Sequence, residues 1–309
     1  MGLVLSAAVA GIVVFLAAAV NGDEPVIWFS TQESFTATAG PYAGQEITDG
    51  DLLATTGEVI AKNDYLVRNF SPEPPPPNYG LDAIHVRSSG EILFSLEGGF
   101  WDEQLAVQVG PGDVLSDTGA ILMTNPQLLK NFHPMPPVLA DYALDALHRA
   151  TSSEMWFSIG ENFYDETLGT TVGDGDLLSD AGTIVRTNSD LLKNFHPMPP
   201  VLADYGLDAV HRASSRELWF SVKESFFDET LGVTITGGDL LSDTGTLVKR
   251  NRDLLAPFFG GAGNVPEDYG LDAVWVVPEP ATMGLWALGV GLWVRRRRST
   301  VLSPRPSGF

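Results

Sequence analysis

The chain has 309 residues, no cysteine and a formal net charge of −21 at neutral pH. The missing thiols exclude disulfide staples, thiol catalysis and cysteine metal sites, and the acidic surface argues against nucleic acid as a partner. A hydrophobic content of 44% suits a packed, ordered chain. From the N-terminus, Leu3–Val20 is almost wholly apolar, and Asn21, Gly22, Asp23 and Glu24 then turn the chain polar. This reads as a secretory signal peptide over residues 1–22, with an uncleaved N-terminal helix as the alternative because no Lys or Arg precedes the apolar run. Both readings place the middle of the chain outside the cytoplasm.

Residues 23–276 form an internal repeat. Tyr79-Gly-Leu-Asp-Ala-Ile-His85 recurs as Tyr142–His148, Tyr205–His211 and Tyr269–Trp275, so that Asp82, Asp145, Asp208 and Asp272 mark four copies. A Phe-Ser pair (Phe29, Phe94, Phe157, Phe220) and a Gly-Asp pair (Asp51, Asp113, Asp176, Asp239) recur with them. So does an Asn seven residues before a Phe, as in Asn188 and Phe195. Each unit reads as β. The Leu-Asp-Ala segment alternates at period two, Glu217–Val222 is aromatic and branched, and Asp243-Thr-Gly245 signals a hairpin. About four strands per unit are expected, with one helical turn near Asp253. The ordered chain begins on the second strand of a unit (Val26–Ser30) and ends on the first (Leu271–Trp275). Three complete copies and two complementary fragments sum to four, which is what ring closure requires. The fold class expected is all-β. It is a four-bladed β-propeller-like closed repeat domain, flanked by an N-terminal signal helix and a C-terminal transmembrane helix. Two packed β-sandwiches are the alternative. The Leu-Asp-Ala and Phe-Ser strands faintly resemble the repeats of hemopexin-like four-bladed propellers, which bears on fold only.

Several residues are candidates for chemistry. If the Leu-Asp-Ala strand is innermost, Asp82, Asp145, Asp208 and Asp272 would ring a central channel and hold a cation, calcium being the cofactor allowed for. The competing role is turn capping or bonding to a neighbouring unit, which fourfold repetition favours. His85, His148 and His211 follow the aspartates without a metal-ligand spacing and read as structural or merely exposed. Asp174-x-Asp176-x-x-x-Asp180 is calcium-like but lacks the glycine and closing glutamate of an EF-hand loop. The pairs Asp102-Glu103, Asp165-Glu166 and Asp228-Glu229 belong in hairpins after the Phe-Ser strand. Three near-equal copies argue against one catalytic centre, so no catalytic residue is expected.

The chain ends with Val277-Pro-Glu-Pro280, an apolar run from Ala281 to Val294, and Arg295, Arg296, Arg297 and Arg298. At about 1.5 Å per residue the run is roughly 21 Å long, a weak membrane stop with its arginines on the cytoplasmic side. Pro278, Glu279, Pro280 and the arginine block resemble the PEP-CTERM sorting signal of Gram-negative bacteria. That resemblance implies residues 277–298 are a sorting signal with a transmembrane helix, cut by an exosortase-type protease, and that the protein ends at the cell surface or outside. Residues 299–309 read as a disordered tail. The function expected is an exported, surface-sorted, non-enzymatic interaction or matrix module with a polysaccharide or protein partner. A secreted hydrolase using propeller carboxylates is the alternative.

Overall fold

The computed structural model describes residues 24–73, 78–135, 141–198 and 204–278. The expected signal segment, the apolar C-terminal run, Glu279, Pro280, the four arginines and the 299–309 tail lie outside the described residues; Pro278 is exposed irregular chain. Among the described residues no helix is long and apolar enough to cross a membrane. The strands all belong to one unit, Val26–Val276.

That unit is all-β, built from small antiparallel sheets, four of them four-stranded. Sheet two runs Ala83–Val86, Ile92–Ser95, Val114–Ser116, Ala120–Met123. Sheet three runs Leu147–Arg149, Met155–Phe157, Leu177–Ser179, Thr183–Arg186, and sheet four Val210–Ser214, Glu217–Phe220, Leu240–Ser242, Thr246–Lys249. Sheet one takes Ile27–Ser30, Leu52–Ala54 and Val59–Ala61 from the N-terminal end and Ala273–Val276 from the C-terminal end. The borrowed strand sits in the same register as its counterparts. Phe29 faces Val274 as Phe94 faces Ile84, Phe157 faces Leu147 and Phe220 faces Val210.

The second and third strands are apolar on both faces because each sheet is covered on both sides, so alternation gives way to continuous hydrophobic runs. Phe29, Phe94, Phe157 and Phe220 are fully buried at equivalent places. Four hydrophobic clusters fill the spaces between successive sheets, including the space between sheets four and one, where Phe29 and Val274 meet Leu240 and Phe258. The four inner strands touch in cyclic order, Ala83–Val86 to Leu147–Arg149 to Val210–Ser214 to Ala273–Val276 and back. Serine hydroxyls follow the same cycle. Ser30 donates to the Leu81 carbonyl (2.8 Å), Ser95 to Leu144 (3.1 Å), Ser158 to Leu207 (2.9 Å) and Ser221 to Leu271 (2.8 Å).

Each unit carries more strands than the four expected. The segment after the Phe-Ser strand leaves the main sheet as a hairpin of its own, for example Phe226–Asp228 with Val233–Ile235, joined by the two-residue strand Pro197–Met198 from the preceding connection. The helical turn predicted near Asp253 is the nine-residue helix Asn251–Phe259, against four residues at Asn63–Leu66, Asn125–Leu128 and Asn188–Leu191.

Candidate functional site

The repeated polar residues divide into a scaffold and a centre. In the scaffold, Asp176 accepts from the backbone N–H of Gly173 and Asn188, both at 3.0 Å. Asn188 in turn accepts from Tyr205 N–H (3.3 Å) and donates to the Gly206 carbonyl (3.3 Å). Asp51/Asn63, Asp113/Asn125 and Asp239/Asn251 repeat this clasp. It carries the chain from one sheet into the next and satisfies backbone groups that would otherwise be buried alone. The paired acids fall in the hairpins as expected. Asp102, Asp165 and Asp228 are fully buried; Asp228 accepts from His196 N–H (2.6 Å) and Leu231 N–H (2.7 Å), and the other two do the same. The calcium-like triad splits by role: Asp176 is in the clasp, Asp180 caps Met155 N–H at 3.2 Å, and Asp174 belongs to the centre.

At the centre stand two layers, the aspartates just before each inner strand and the aromatic residues on it. One layer is aromatic. His85, His148, His211 and Trp275 close a four-membered cycle of edge-to-face contacts, with neighbouring rings 4.8 to 5.9 Å apart. Burial holds these histidines neutral, pulling His85 and His211 down to about 3 and His148 to about 4. His85 Nδ1 accepts from Arg149 N–H at 3.2 Å. The structural reading of these histidines is the one that fits this packing.

The other layer holds Asp82, Asp145, Asp208 and Asp272, brought within electrostatic reach of one another. Asp82, Asp208 and Asp272 are buried, at 9%, 3% and 6% exposure. The position two residues after each Phe-Ser serine stands over them: Gln32, Glu97 and Lys223 in three units, and Gly160, with no side chain, in the other. This is where the four units cease to be equivalent, and no property of the Leu-Asp-Ala motif pointed to it. Its signal in the sequence is a position two residues after the invariant serine that carries four different residues, of four different charges or sizes. Lys223 Nζ donates to Asp145 Oδ2 at 2.7 Å and Gln32 Nε2 to Asp208 Oδ2 at 2.6 Å. Burial, then neighbouring carboxylates, push Asp82 and Asp272 well above the ordinary carboxylate range. Burial raises Asp208 to about 8, against the pull of Lys223. Glu97, exposed at the rim, rises to about 7 through partial desolvation and the charges of Asp49 and Asp145. Asp272 Oδ2 is buried with no hydrogen-bond partner. Among the described residues no three His, Asp or Glu side chains are gathered closely enough to hold a metal ion. The arrangement is an acidic mouth with one built-in cation, suited to receiving positive charge.

No family model matches the chain, and no curated protein matches it. Among solved structures it is similar to a virginiamycin B lyase from Staphylococcus aureus, at 10% identity and a TM-score of 0.23, covering 68% of this chain. The chain spans 58% of that lyase. It is also similar to a protein of unknown function from Bacteroides caccae, at 11% identity and a TM-score of 0.33, covering 83% of this chain and all of the other. Scores this low leave the architecture to rest on the strand pairing and cyclic contacts described above.

Proposed function

We propose that this is an exported, surface-sorted, non-enzymatic binding protein, a closed four-bladed β-propeller whose acidic mouth is its ligand site. The observation that carries the binding reading is the loss of fourfold equivalence at Gln32, Glu97, Gly160 and Lys223, directly over a ring of aspartates. A scaffold needs the same residue in every unit; a site for one ligand needs them to differ. The C-terminal strand in sheet one, in the register of its three counterparts, supports closure. Around the outside, Trp101, Tyr164 and Phe227 are each about half exposed at the same place in three successive hairpins. They offer a polysaccharide or protein partner three repeated aromatic contacts.

Sorting belongs to the same proposal. The N-terminal segment directs export, the apolar run after Pro280 holds the protein in the membrane, and an exosortase-type protease acts near Pro278, Glu279 and Pro280. The test is the size and location of the protein in hosts with and without the protease. A shorter surface or released form only in its presence supports sorting; an intact, membrane-held form in both reduces the tail to an anchor.

The secreted-hydrolase reading keeps one observation in its favour, because a catalytic centre needs unlike polar groups gathered at one place and the mouth gathers them. Glycoside and phosphoester turnover, absent after Glu97→Gln, would put that reading first.

A further inference from the structure

The mouth is unevenly neutralised, and the unevenness follows a rule. Lys223 lies over Gly206 of its own unit, where an added Cβ would meet Lys223 Cδ at 2.7 Å, and hands its ammonium to Asp145 of the preceding unit. Gln32 lies over Gly270 and hands its amide to Asp208 of the preceding unit. Glu97 lies over Gly80 in the same way, at 2.6 Å from its Cγ. The aspartate of the unit before it is Asp272, so here a carboxylate meets a carboxylate, and the charge of Glu97 is felt at Asp272. Gly160 has no side chain to hand over, and the aspartate of the unit before it is Asp82. Among the described residues no hydrogen bond reaches the Asp82 carboxylate. Asp145 is therefore served by a cation, and the single amide of Gln32 serves Asp208 and also bears on Asp272. Asp82, Glu97 and Asp272 have no cation of their own, and Asp272 keeps one buried oxygen, Oδ2, without a partner although the residue is only 6% exposed.

We propose that Asp82, Asp272 and Glu97 form a subsite for a primary ammonium group carried by an external ligand. This deepens the binding reading above and rests on it. The Lys223–Asp145 pair is the chain's own version of the same contact one quadrant away. An ammonium brings three N–H donors; entering past the exposed Glu97, it would pair with the unpartnered oxygen of Asp272 or with Asp82. Calcium requires six to eight oxygens converging at about 2.3–2.6 Å, which these side chains do not provide, and a dication would also face Lys223 across the ring. A quaternary ammonium lacks the donors and would seek an aromatic cage, whereas the aromatic layer lies on the far side of the aspartates.

The experiment is calorimetric titration of the full chain in detergent at pH 7.5 and fixed ionic strength, with spermidine, an end-blocked Gly-Lys-Gly peptide and calcium chloride as probes. One ammonium probe should bind with one-to-one stoichiometry and release protons. Glu97→Gln should weaken it about tenfold, the loss of one charge-assisted hydrogen bond, while Glu229→Gln on an outer hairpin leaves it unchanged. Spermidine binding points to a free polyamine and peptide binding to a lysine of a protein partner; either supports the subsite. Glu97→Lys should abolish probe binding and raise the thermal midpoint, because it sets an ammonium on Asp272 as Lys223 does on Asp145. Calcium binding alone, or ammonium binding indifferent to Glu97→Gln, overturns the subsite and leaves the mouth as a ligand site. No binding by any probe overturns both.

Discussion

Ala143 and Gly160 exchange the roles that the other three units give to a glycine and a long polar side chain. Elsewhere Gly80, Gly206 and Gly270, at φ between +67° and +70°, lie beneath Glu97, Lys223 and Gln32. In the third unit the alanine takes the same left-handed backbone, at φ +56°, and the residue above it is glycine. A Cβ on Gly160 would stand 3.1 Å from that of Ala143. The two changes compensate each other sterically. The left-handed conformation costs an L-residue roughly 1–2 kcal/mol, partly offset by glycine's greater unfolded-state freedom. Ala143→Gly should therefore stabilise by about 1 kcal/mol. Gly160→Lys should destabilise the native chain but be tolerated with Ala143→Gly, giving a coupling of about 1 kcal/mol in a double-mutant cycle read from denaturant midpoints.

Stability should fall as pH rises above neutrality. Asp82, Asp208, Asp272 and Glu97 have folded values above their unfolded ones, so their contribution is full below pH 4 and is lost as pH climbs through about 7 for Glu97 and about 8 for Asp208. His85, His148 and His211 act oppositely. Their folded values are depressed to 3–4, so their contribution is present above 6.5 and lost as pH falls toward those values. Only the carboxylates act between pH 6.5 and 9, and there the thermal midpoint should decline. Asp208→Asn should flatten the decline, and an unchanged slope would exclude the mouth as its origin.

Asn188→Ala should cost about 2–3 kcal/mol. The amide satisfies the Tyr205 N–H and the Gly206 carbonyl, both at 3.3 Å, and each buried group left alone costs about 1–3 kcal/mol. Urea denaturation of the variant measures the loss; a change below about 0.5 kcal/mol would mean the clasp is replaced by water.

Deleting Gly270–Val277 should abolish cooperative unfolding or send the chain into oligomers. The deletion strips sheet one of its inner strand, exposes the edge of Ile27–Ser30 and removes the Leu271 carbonyl that accepts from Ser221. Light scattering and a melting curve give the answer: a monomer of unchanged stability would contradict a closed ring.

Phe157→Ala should destabilise by about 3–5 kcal/mol, as expected for a fully buried aromatic whose space cannot collapse between two sheets.

Much of the fold was legible in the sequence because it is repetitive. Four copies of Leu-Asp-Ala and Phe-Ser, and the split of one unit between the two ends, led to the pairing of Ile27–Ser30 with Ala273–Val276. The outer hairpins were less legible, because Phe226–Asp228 and Val233–Ile235 look like any two strands of a main sheet until their partner, Pro197–Met198, is known. The site was half legible. Periodicity marked Asp82, Asp145, Asp208 and Asp272 as equivalent, and the residues alone established that they recur, that histidine or tryptophan follows them, and that cysteine has no part. Packing in three dimensions was needed to show that Gln32 reaches Asp208, that Lys223 reaches Asp145, and that Glu97 stands with Asp82 and Asp272 without a cation. A repeat specifies what each unit contributes, but the partner of a side chain at a ring's centre comes from the neighbouring unit, 78 residues away for Lys223 and Asp145 and 176 for Gln32 and Asp208, and that contact is set by packing between sheets.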